Sequence, residues 1–512
     1  MRQIVSYSAK EAAGGVVTIT RCLQGSCDSI TTSDWIEAIR FLTSAPASDS
    51  RYFTVCFNLR DFTEVLFSLL PDEKRQTIIN EDKIVHENVK VFYVNGRYLG
   101  LTAALLQPES FNVYRKQELN LQALKWWLSE NELEPVDAVE VAALGEKIVK
   151  TLDVMGIVPT KLTSPVAVFM DSHFKGSKML PTVFNFPREK QGAMDYASKI
   201  MRHEWRAAYK VGHVEESYQY DQVSAYPSAM MHLPSTTNSR CEYATTLPSW
   251  AQWGVMKGRV TVDADISPLV YERDGEMINP KGSWDGYFTT GEIKWLEKWN
   301  AGTFSLEDGW FFSFDKERPY REAMTWLYRW KQHPDAFTST IAKKMSQGVS
   351  GKLDEDRQDG MIGDYYNPVL ALMTRSYARL KVADFIYQNK LQDDVMAVLV
   401  DSVLSTRKVS GVPDNGGMGS WRYEGCLPAL VLSKGMVWRP GKRPQGITYE
   451  QITKAMVDEP EAGYYTLHTN SGRERVIDLL LGNDERDFTD YPACGGQVMS
   501  GVSSSTAWDI SE

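Results

Sequence analysis

Over roughly the first 60 residues apolar and polar positions alternate, the period of two that predicts strands. Gly14-Gly15 is placed to turn a hairpin ahead of Val16-Val17-Thr18-Ile19-Thr20. Ser33-Asp34-Trp35-Ile36-Glu37 has the form of a capping box and opens a helix running to about Leu42. Tyr52-Phe53-Thr54-Val55-Cys56-Phe57 reads as a buried strand, followed by a helix from about Phe62 to Leu70 that stops at Pro71. Val89–Tyr98 and Gly100–Leu105 predict a second hairpin, turned at Asn95-Gly96. Helices are expected at roughly 116–130 and 137–155.

Pro159, Pro165, Gly176, Pro181 and Pro187 then accumulate and mark the edge of an N-terminal α/β domain. Residues 190–210 read as helical, with Met194-Asp195-Tyr196-Ala197 leading to Trp205-Arg206-Ala207-Ala208-Tyr209. Strands dominate from 250 to 315, with Gly258-Arg259-Val260-Thr261-Val262-Asp263 and Trp284-Asp285-Gly286-Tyr287-Phe288 as clear segments. Tyr320–Gln332 and Ala336–Gln347, parted by Pro334-Asp335, predict an αα-hairpin. Val369–Gln388 reads as a long amphipathic helix carrying Arg375, Arg379 and Lys381 in its middle. Gly411 to Gly419 is a loop, and Ser500–Glu512 is a polar tail.

Composition narrows this picture. At 512 residues the chain has room for about two to four domains. Its 43% hydrophobic and 24% charged residues describe an ordinary globular protein. A net charge of −10 disfavours a nucleic-acid coat protein but leaves room for an enzyme with a locally basic groove. The six cysteines form no CxxC pair, which argues against structural zinc, and their sparseness fits a reducing compartment. Met1-Arg2-Gln3-Ile4-Val5 lacks a signal-peptide core and no 18-residue apolar run occurs, so a cytoplasmic protein without a membrane partner is expected.

The chemistry-bearing stretch is Tyr218-Gln219-Tyr220-Asp221-Gln222-Val223-Ser224-Ala225-Tyr226-Pro227-Ser228-Ala229-Met230-Met231. It reads as a strand ending at one carboxylate, a turn at Pro227-Ser228, and the start of a helix. An oxygen donor at the mouth of a rigid strand suits a hard cation. Taken alone, Asp221 reads first as the start of a turn or a helix cap. Asp401 repeats the pattern at the end of Val395-Met396-Ala397-Val398-Leu399-Val400, a run that also reads simply as a core strand entering a turn. Side by side, two such strands bring two carboxylates within bridging distance of a pair of divalent ions, as nucleotidyl transfer needs. A triphosphate also needs cations. The helical hairpin carries Lys331, Lys343 and Lys344, which read otherwise as a solvated helix face. Gly348 and Gly351 beside them offer a flat surface for a base pair, or terminate the helix.

Taken in order, these motifs resemble those of the protein-primed branch of family B DNA polymerases, found in small phages and linear plasmids. Asp221-Gln222-Val223-Ser224-Ala225-Tyr226-Pro227-Ser228 resembles the first polymerase motif, DxxSLYPS, with Ala225 in place of Leu. Lys343-Lys344-Met345-Ser346-Gln347-Gly348-Val349-Ser350-Gly351 resembles the second, KxxxNSxYG. Leu399-Val400-Asp401-Ser402 stands where the third, DTDS, belongs. Tyr209-Lys210-Val211-Gly212 is similar to the YxGG element that joins the two domains, and Thr374 with Arg379 to the TxxxxR helix. Gly419-Ser420-Trp421-Arg422-Tyr423-Glu424 and Lys434 resemble the GxWxxE and KxY segments that hold primer and template. The resemblance runs from about residue 200 to 440.

The resemblance implies an α+β, right-hand polymerase fold with an antiparallel palm sheet, helical fingers and a small thumb. A degenerate, RNase H-like 3′–5′ exonuclease-type domain (1–185) comes first. The palm occupies 186–235 and 354–432, a strand-rich insertion resembling the terminal-protein region 236–318, the fingers 319–353, and the thumb and tail 433–512. Asp221 and Asp401 would be the catalytic carboxylates on two Mg²⁺ ions, with Mn²⁺ able to substitute. Tyr226 would lie under the incoming sugar and exclude a 2′-hydroxyl. Lys343 would bind the triphosphate, with Lys331 as helper and Gln347 in the same motif. Lys434, Tyr209, Gly212, Arg379 and Trp421 would contact DNA, joined by Arg439, Lys442 and Arg443 on the template. The implied partners are primer–template DNA, dNTPs and a priming terminal protein, and the chain is expected to be a monomer.

Departures from the pattern shape the expected activity. Leu399 replaces the first Asp of the third motif, Gln347 replaces an Asn, and Ser350 replaces the Tyr that packs on the nascent base pair. The short span from Lys343 to Asp401 implies loss of the insert linked to processivity and strand displacement. No Asp-x-Glu occurs in the first 60 residues; Asn58-Leu59 is followed by an Asp61 out of register, and only Asp137 stands near the third exonuclease motif. The expected function is therefore template-directed DNA synthesis in viral or plasmid replication, protein-primed and without proofreading. The alternative is a catalytically inactive, nucleic-acid-binding relic acting as a scaffold. An RNA template or ribonucleotide substrate is a third reading, and Tyr226 argues against ribonucleotides.

Overall fold

The computed structural model describes residues 2–439 apart from 45–50, 82, 95–97, 107–113, 129–132, 175–189, 238, 274–275, 356–361 and 415, together with three short strands beyond them. The Asn95-Gly96 turn, Lys442, Arg443 and the polar tail lie outside the described residues. The chain forms two compact units: Met1–Gly176 with Trp326–Ser346, and Ser177–Thr325 with Gln347–Glu512. Among the described residues no helix is long and apolar enough to cross a membrane.

The first unit runs β1 (Gln3–Ala12), β2 (Val16–Leu23), β3 (Ser26–Thr32), α1 (Trp35–Thr43), β4 (Tyr52–Cys56), α2 (Leu59–Phe67), α3 (Asp72–Glu81), β5 (Lys83–His86), β6 (Val89–Val94), β7 (Tyr98–Leu106), β8 (Tyr114–Ala123), α4 (Ala138–Val154) and α5 (Pro165–Phe174). Its strands form one sheet in the order β3-β2-β1-β4-β8-β7-β6-β5, with β1, β4 and β8 parallel and the others antiparallel. Gly14 and Gly15 both hold positive φ in the first turn, which glycine tolerates without steric cost. Asp34 caps α1 by accepting from the Glu37 N–H at 2.7 Å. The sheet and helices close over Val5, Tyr7, Trp35, Leu42, Leu59, Leu99 and Leu121. The helix expected at 116–130 is instead strand β8: Leu119 and Leu121 are buried while Asn120 between them is exposed, a period of two. Cys22 and Cys27, directly opposed on β2 and β3, form a disulfide, which stands against the expectation of a wholly reduced set of thiols.

The second unit begins with α6 (Gln191–Ile200), β9 (Arg206–Ala208), β10 (Lys210–Gln222), α7 (Ala225–Met230), β11 (Arg240–Ala244), β12 (Trp253–Val262), β13 (Tyr271–Arg273), β14 (Glu276–Ile278), β15 (Gly282–Thr289), α8 (Thr290–Trp299) and β16 (Gly302–Ser313). Then come α9 (Arg321–Lys331) and α10 (Ala336–Lys352), of which Trp326–Ser346, the end of α9 and most of α10, belongs to the first unit. The series closes with α11 (Pro368–Gln388), β17 (Val395–Leu399), β18 (Ser402–Ser405), β19 (Trp421–Ser433) and β20 (Met436–Trp438). The main sheet has the order β20-β19-β10-β18-β17-β9. A second sheet, β11-β16-β12-β15, is antiparallel throughout. Both sheets and α11 share a core of Trp205, Tyr220, Trp284, Trp295, Phe385 and Val398.

Two sequence expectations change here. Residues 206–208 leave the helix and form edge strand β9, whose Ala207 and Ala208 are buried beside exposed Arg206. Helix α11 is not amphipathic: Val369, Leu370, Leu372, Ala378, Val382 and Phe385 are buried on several of its faces, as is Arg379.

Arg379 and Glu292 form an ion pair with side chains only 3% and 4% exposed. Glu292 closes the capping box of α8 by accepting from the Thr289 N–H at 2.8 Å, and Arg379 donates to the His203 carbonyl. Burial first, and the Arg379 charge second, push the His203 imidazole down from 6.5 to about 4, against the pull of Glu292. Between those values the unfolded chain binds a proton that the folded chain does not. His203 neutrality therefore stabilises above about pH 6.5 and is lost as pH falls towards about 4. Urea midpoints should drop across that window, and His203→Gln should flatten that part of the drop.

Candidate active site

Strand β10 is the axis of the site. Near its end Asp221 pairs with Ser402 on β18 and with Arg422 on β19. Directly opposed residues of an antiparallel ladder share a face. Accordingly Arg422 Nη2 stands 3.5 Å from Asp221 Oδ2, and Arg422 also pairs with Glu424.

Strands β17 and β18 are joined by Val400 and Asp401 alone, since Leu399 pairs with Ser402. Val400 holds φ +63°, and the Asp401 N–H donates to the Leu399 carbonyl at 2.8 Å, a γ-turn of the strained hand. For a β-branched residue that conformation costs about 1–3 kcal/mol. Two bonds from outside hold it: the Val400 N–H donates to the Trp205 carbonyl at 2.9 Å, and the Asp401 carbonyl accepts from the Gln222 N–H at 2.9 Å. Asp401 thus lies one ladder step past the Asp221–Ser402 pair, and the two carboxylate-bearing residues occupy the same end of neighbouring strands.

The chain after Asp221 is pinned as tightly. The Val223 N–H donates to the Ser420 carbonyl at 3.0 Å, and the Gly419 N–H to the Val223 carbonyl at 2.7 Å. Gly419 has to be glycine, with φ +81° and a position where a Cβ would come 2.3 Å from Ser228 Oγ. Ser224 turns the chain with φ +52°, and α7 then carries Tyr226. The Tyr226 hydroxyl donates to Glu204 Oε1 at 3.1 Å. Burial pushes its phenol far up, the Glu204 charge adds to that, Arg375 opposes it, and Asp401 contributes.

The other expected site residues stand on other elements. Lys343 and Gln347 are exposed four residues apart on α10, the spacing that shares a helix face. Lys343 and Lys331, the last residue of α9, belong to the first unit. Lys434 turns β19 into β20 and donates to the Met277 carbonyl. Gly212 lies in β10 with φ +123° opposite Val431. Trp421 stacks on Phe385 with centroids 4.0 Å apart. Three expectations of DNA contact are corrected by burial. Arg379 is consumed by Glu292 and the His203 carbonyl. Tyr209 is a core residue whose hydroxyl accepts from Trp205 Nε1 at 3.1 Å. Arg439 is buried and donates to Gln219 Oε1 and the Gly425 carbonyl.

Arg422 and Glu204 were missed by sequence reasoning. Arg422 lies inside the GxWxxE-like segment, but its facing Asp221 follows only from the register of β10 on β19. Glu204 lies in a stretch whose pattern reads as helix.

Among the described residues no group of three or more His, Cys, Asp or Glu could hold a metal ion. The donor set at the end of the sheet is two partly exposed carboxylates. Mg²⁺ is ordinarily held by one or two carboxylates together with substrate phosphates and water. Two carboxylates would hold such an ion only where phosphates and water complete its shell.

No protein-family model matches the chain, and no curated protein matches it in sequence. Solved structures do. Phi29 DNA polymerase in an orthorhombic crystal form superposes with a TM-score of 0.62 at 12% identity, over 93% of this chain and 99% of that one. The ternary complex of phi29 DNA polymerase with primer–template DNA and incoming nucleotide gives 0.62 at 12% identity, over 94% and 100%. The complex with single-stranded DNA gives 0.62 at 12%, over 90% and 95%. The chain has the mixed α+β fold of these DNA polymerases over nearly its whole length.

Proposed function

We propose that the chain is a template-directed DNA polymerase that adds dNTPs at a site built on Asp221 and Asp401. The observation that carries this reading is the ladder register that brings both residues to one end of the main sheet, with Tyr226 on the short helix that follows Asp221. The two carboxylates would hold Mg²⁺, with Mn²⁺ able to substitute, which when bound supplies Lewis acidity at the reacting phosphate. The chain itself supplies position: strand β10 and the strained turn fix both carboxylates before substrate arrives. Tyr226 takes the sugar and excludes a 2′-hydroxyl. The motif resemblance assigns Lys343, Lys331 and Gln347 to the triphosphate, and Lys434, Gly212 and Trp421 to the primer–template. Protein priming and viral or plasmid replication enter through the motif resemblance.

The same reading assigns the palm to 186–235 and 354–432, the insertion to 236–318, the fingers to 319–353 and the thumb to 433–512. The parallel β1-β4-β8 core with antiparallel β2 and β3 supports an RNase H-like domain over 1–185. Asn58 and Asp61, the remnant of an exonuclease motif, are engaged at the start of α2: Asn58 Nδ2 donates to Asp61 Oδ2 at 2.7 Å, and Asn58 Oδ1 accepts from the Arg60 N–H at 3.2 Å. This supports synthesis without proofreading.

The test is incorporation of dNTPs on a primed template with Mg²⁺. Tight DNA binding without incorporation under Mg²⁺ or Mn²⁺ would favour the inactive scaffold instead. Arg422 gives an independent check. Its charge beside Asp221 competes with a cation, so Arg422→Gln should tighten Mn²⁺ binding without DNA or nucleotide by roughly two- to fivefold, the worth of a half-exposed ion pair. Electron paramagnetic resonance of free Mn²⁺ reads that change.

A further inference from the structure

We infer that Glu204 is a positioning residue that sets how strictly the site selects the sugar of the incoming nucleotide. The inference rests on reading Tyr226 as the sugar contact. A tyrosine ring has two rotatable bonds, and its use as a wall depends on where its edge stands. A displacement of about 1 Å is enough to spoil such a site. Here the ring is tethered at its far end, because its hydroxyl donates to Glu204 Oε1 at 3.1 Å. The tether is itself held: Arg206 Nη2 pairs with Glu204 Oε2 at 3.2 Å.

The segment carrying Glu204 is also bonded to the other half of the site. Trp205, the next residue, is fully buried, and its carbonyl accepts from the Val400 N–H at 2.9 Å. One short stretch therefore ties the orientation of the Tyr226 ring to the strained turn that presents Asp401. A shift of residues 204–205 would move the wall and the carboxylate together. Glu204 touches no reacting atom in this arrangement and acts through Tyr226.

The experiment compares kcat/KM for a dNTP and the matching ribonucleotide on a primed template, using the full chain. Glu204→Ala should lower the dNTP preference about tenfold, the loss expected when a hydrogen bond to a charged acceptor is removed. Tyr226→Phe removes the same bond and should lower it equally, and the double variant should show no further change. The change should appear in KM for the ribonucleotide. Glu204→Gln should keep the preference, because its amide oxygen still accepts from the hydroxyl. Should Glu204→Ala fail to fold, Tyr226→Phe and Glu204→Gln decide the same question. If Tyr226→Ala relaxes selection while Glu204→Ala and Tyr226→Phe do not, the role of Glu204 is overturned and the sugar contact stands. If Tyr226→Ala leaves selection unchanged, or the unaltered chain incorporates nothing, the parent reading fails and Glu204 falls with it.

Discussion

Glu292→Ala is expected to cost the second unit about 3–5 kcal/mol of stability, and Arg379→Ala a similar amount. Both side chains are almost wholly buried, so removing one leaves the other charged and without its counter-charge in the interior. Glu292 has a second task that adds to its loss: it completes the capping box of α8, worth about 1 kcal/mol. Arg379 has its own, the hydrogen bond to the His203 carbonyl that joins α11 to the segment before β9. Replacing Arg379 by Met and Glu292 by Gln together should recover much of the loss, since no unpaired charge is left buried and the Gln amide oxygen can still accept from the Thr289 N–H. Urea unfolding followed by tryptophan fluorescence measures this, with Trp205, Trp284 and Trp295 all in the same core. Single-variant losses below about 1 kcal/mol would show that the pair is solvated rather than buried. The same variants separate two roles for Arg379. A DNA contact would show as weakened DNA binding at unchanged stability, whereas the buried pair shows as lost stability.

How far the sequence could be read differs by element. Local signals with their own chemistry came through: the Gly14-Gly15 turn, the Asp34 cap, the helix break at Pro334-Asp335 and the apolar run before Asp401. Where the signal was periodicity over a short window, tertiary context decided. Strand β8 and edge strand β9 read as helix because their residues favour either state, and only pairing to β7 and β17 settles them. Helix α11 read as amphipathic because it carries Arg375, Arg379 and Lys381, yet Arg379 points into the core where Glu292 meets it. The motifs at Asp221 and Asp401 were readable as two separate strand ends. That Asp401 sits in a two-residue turn with Val400 in the left-handed region was not, because valine is among the residues least expected there. The pairing of Arg422 with Asp221, and of Glu204 with Tyr226, depends on register and on chain segments far apart in sequence. No window of sequence contains either.

Asp221→Asn and Asp401→Asn carry the largest expected effect on activity. Each substitution keeps the shape and size of the side chain, so the ladder pairs of Asp221 with Ser402 and Arg422 and the turn at Val400 should survive. What is lost is one of the two negative charges on which the proposed site depends. An amide is a poor ligand for a hard cation beside a triphosphate. The stabilisation that a bound metal gives to transition-state charge is worth several kcal/mol, and each 1.36 kcal/mol is a factor of ten, so a fall of about a thousandfold or more is expected. Asp221→Asn also frees Arg422 from its partner, which leaves Glu424 as its remaining carboxylate. Unfolding curves should remain close to those of the unaltered chain, which separates lost chemistry from lost fold.

Single-nucleotide incorporation by the purified chain on a primed template, with Mg²⁺, is the measurement closest to the proposal. The expected result is incorporation by the unaltered chain and none detectable when either Asp221 or Asp401 is Asn. Undiminished incorporation by both variants would contradict a site built on these two carboxylates.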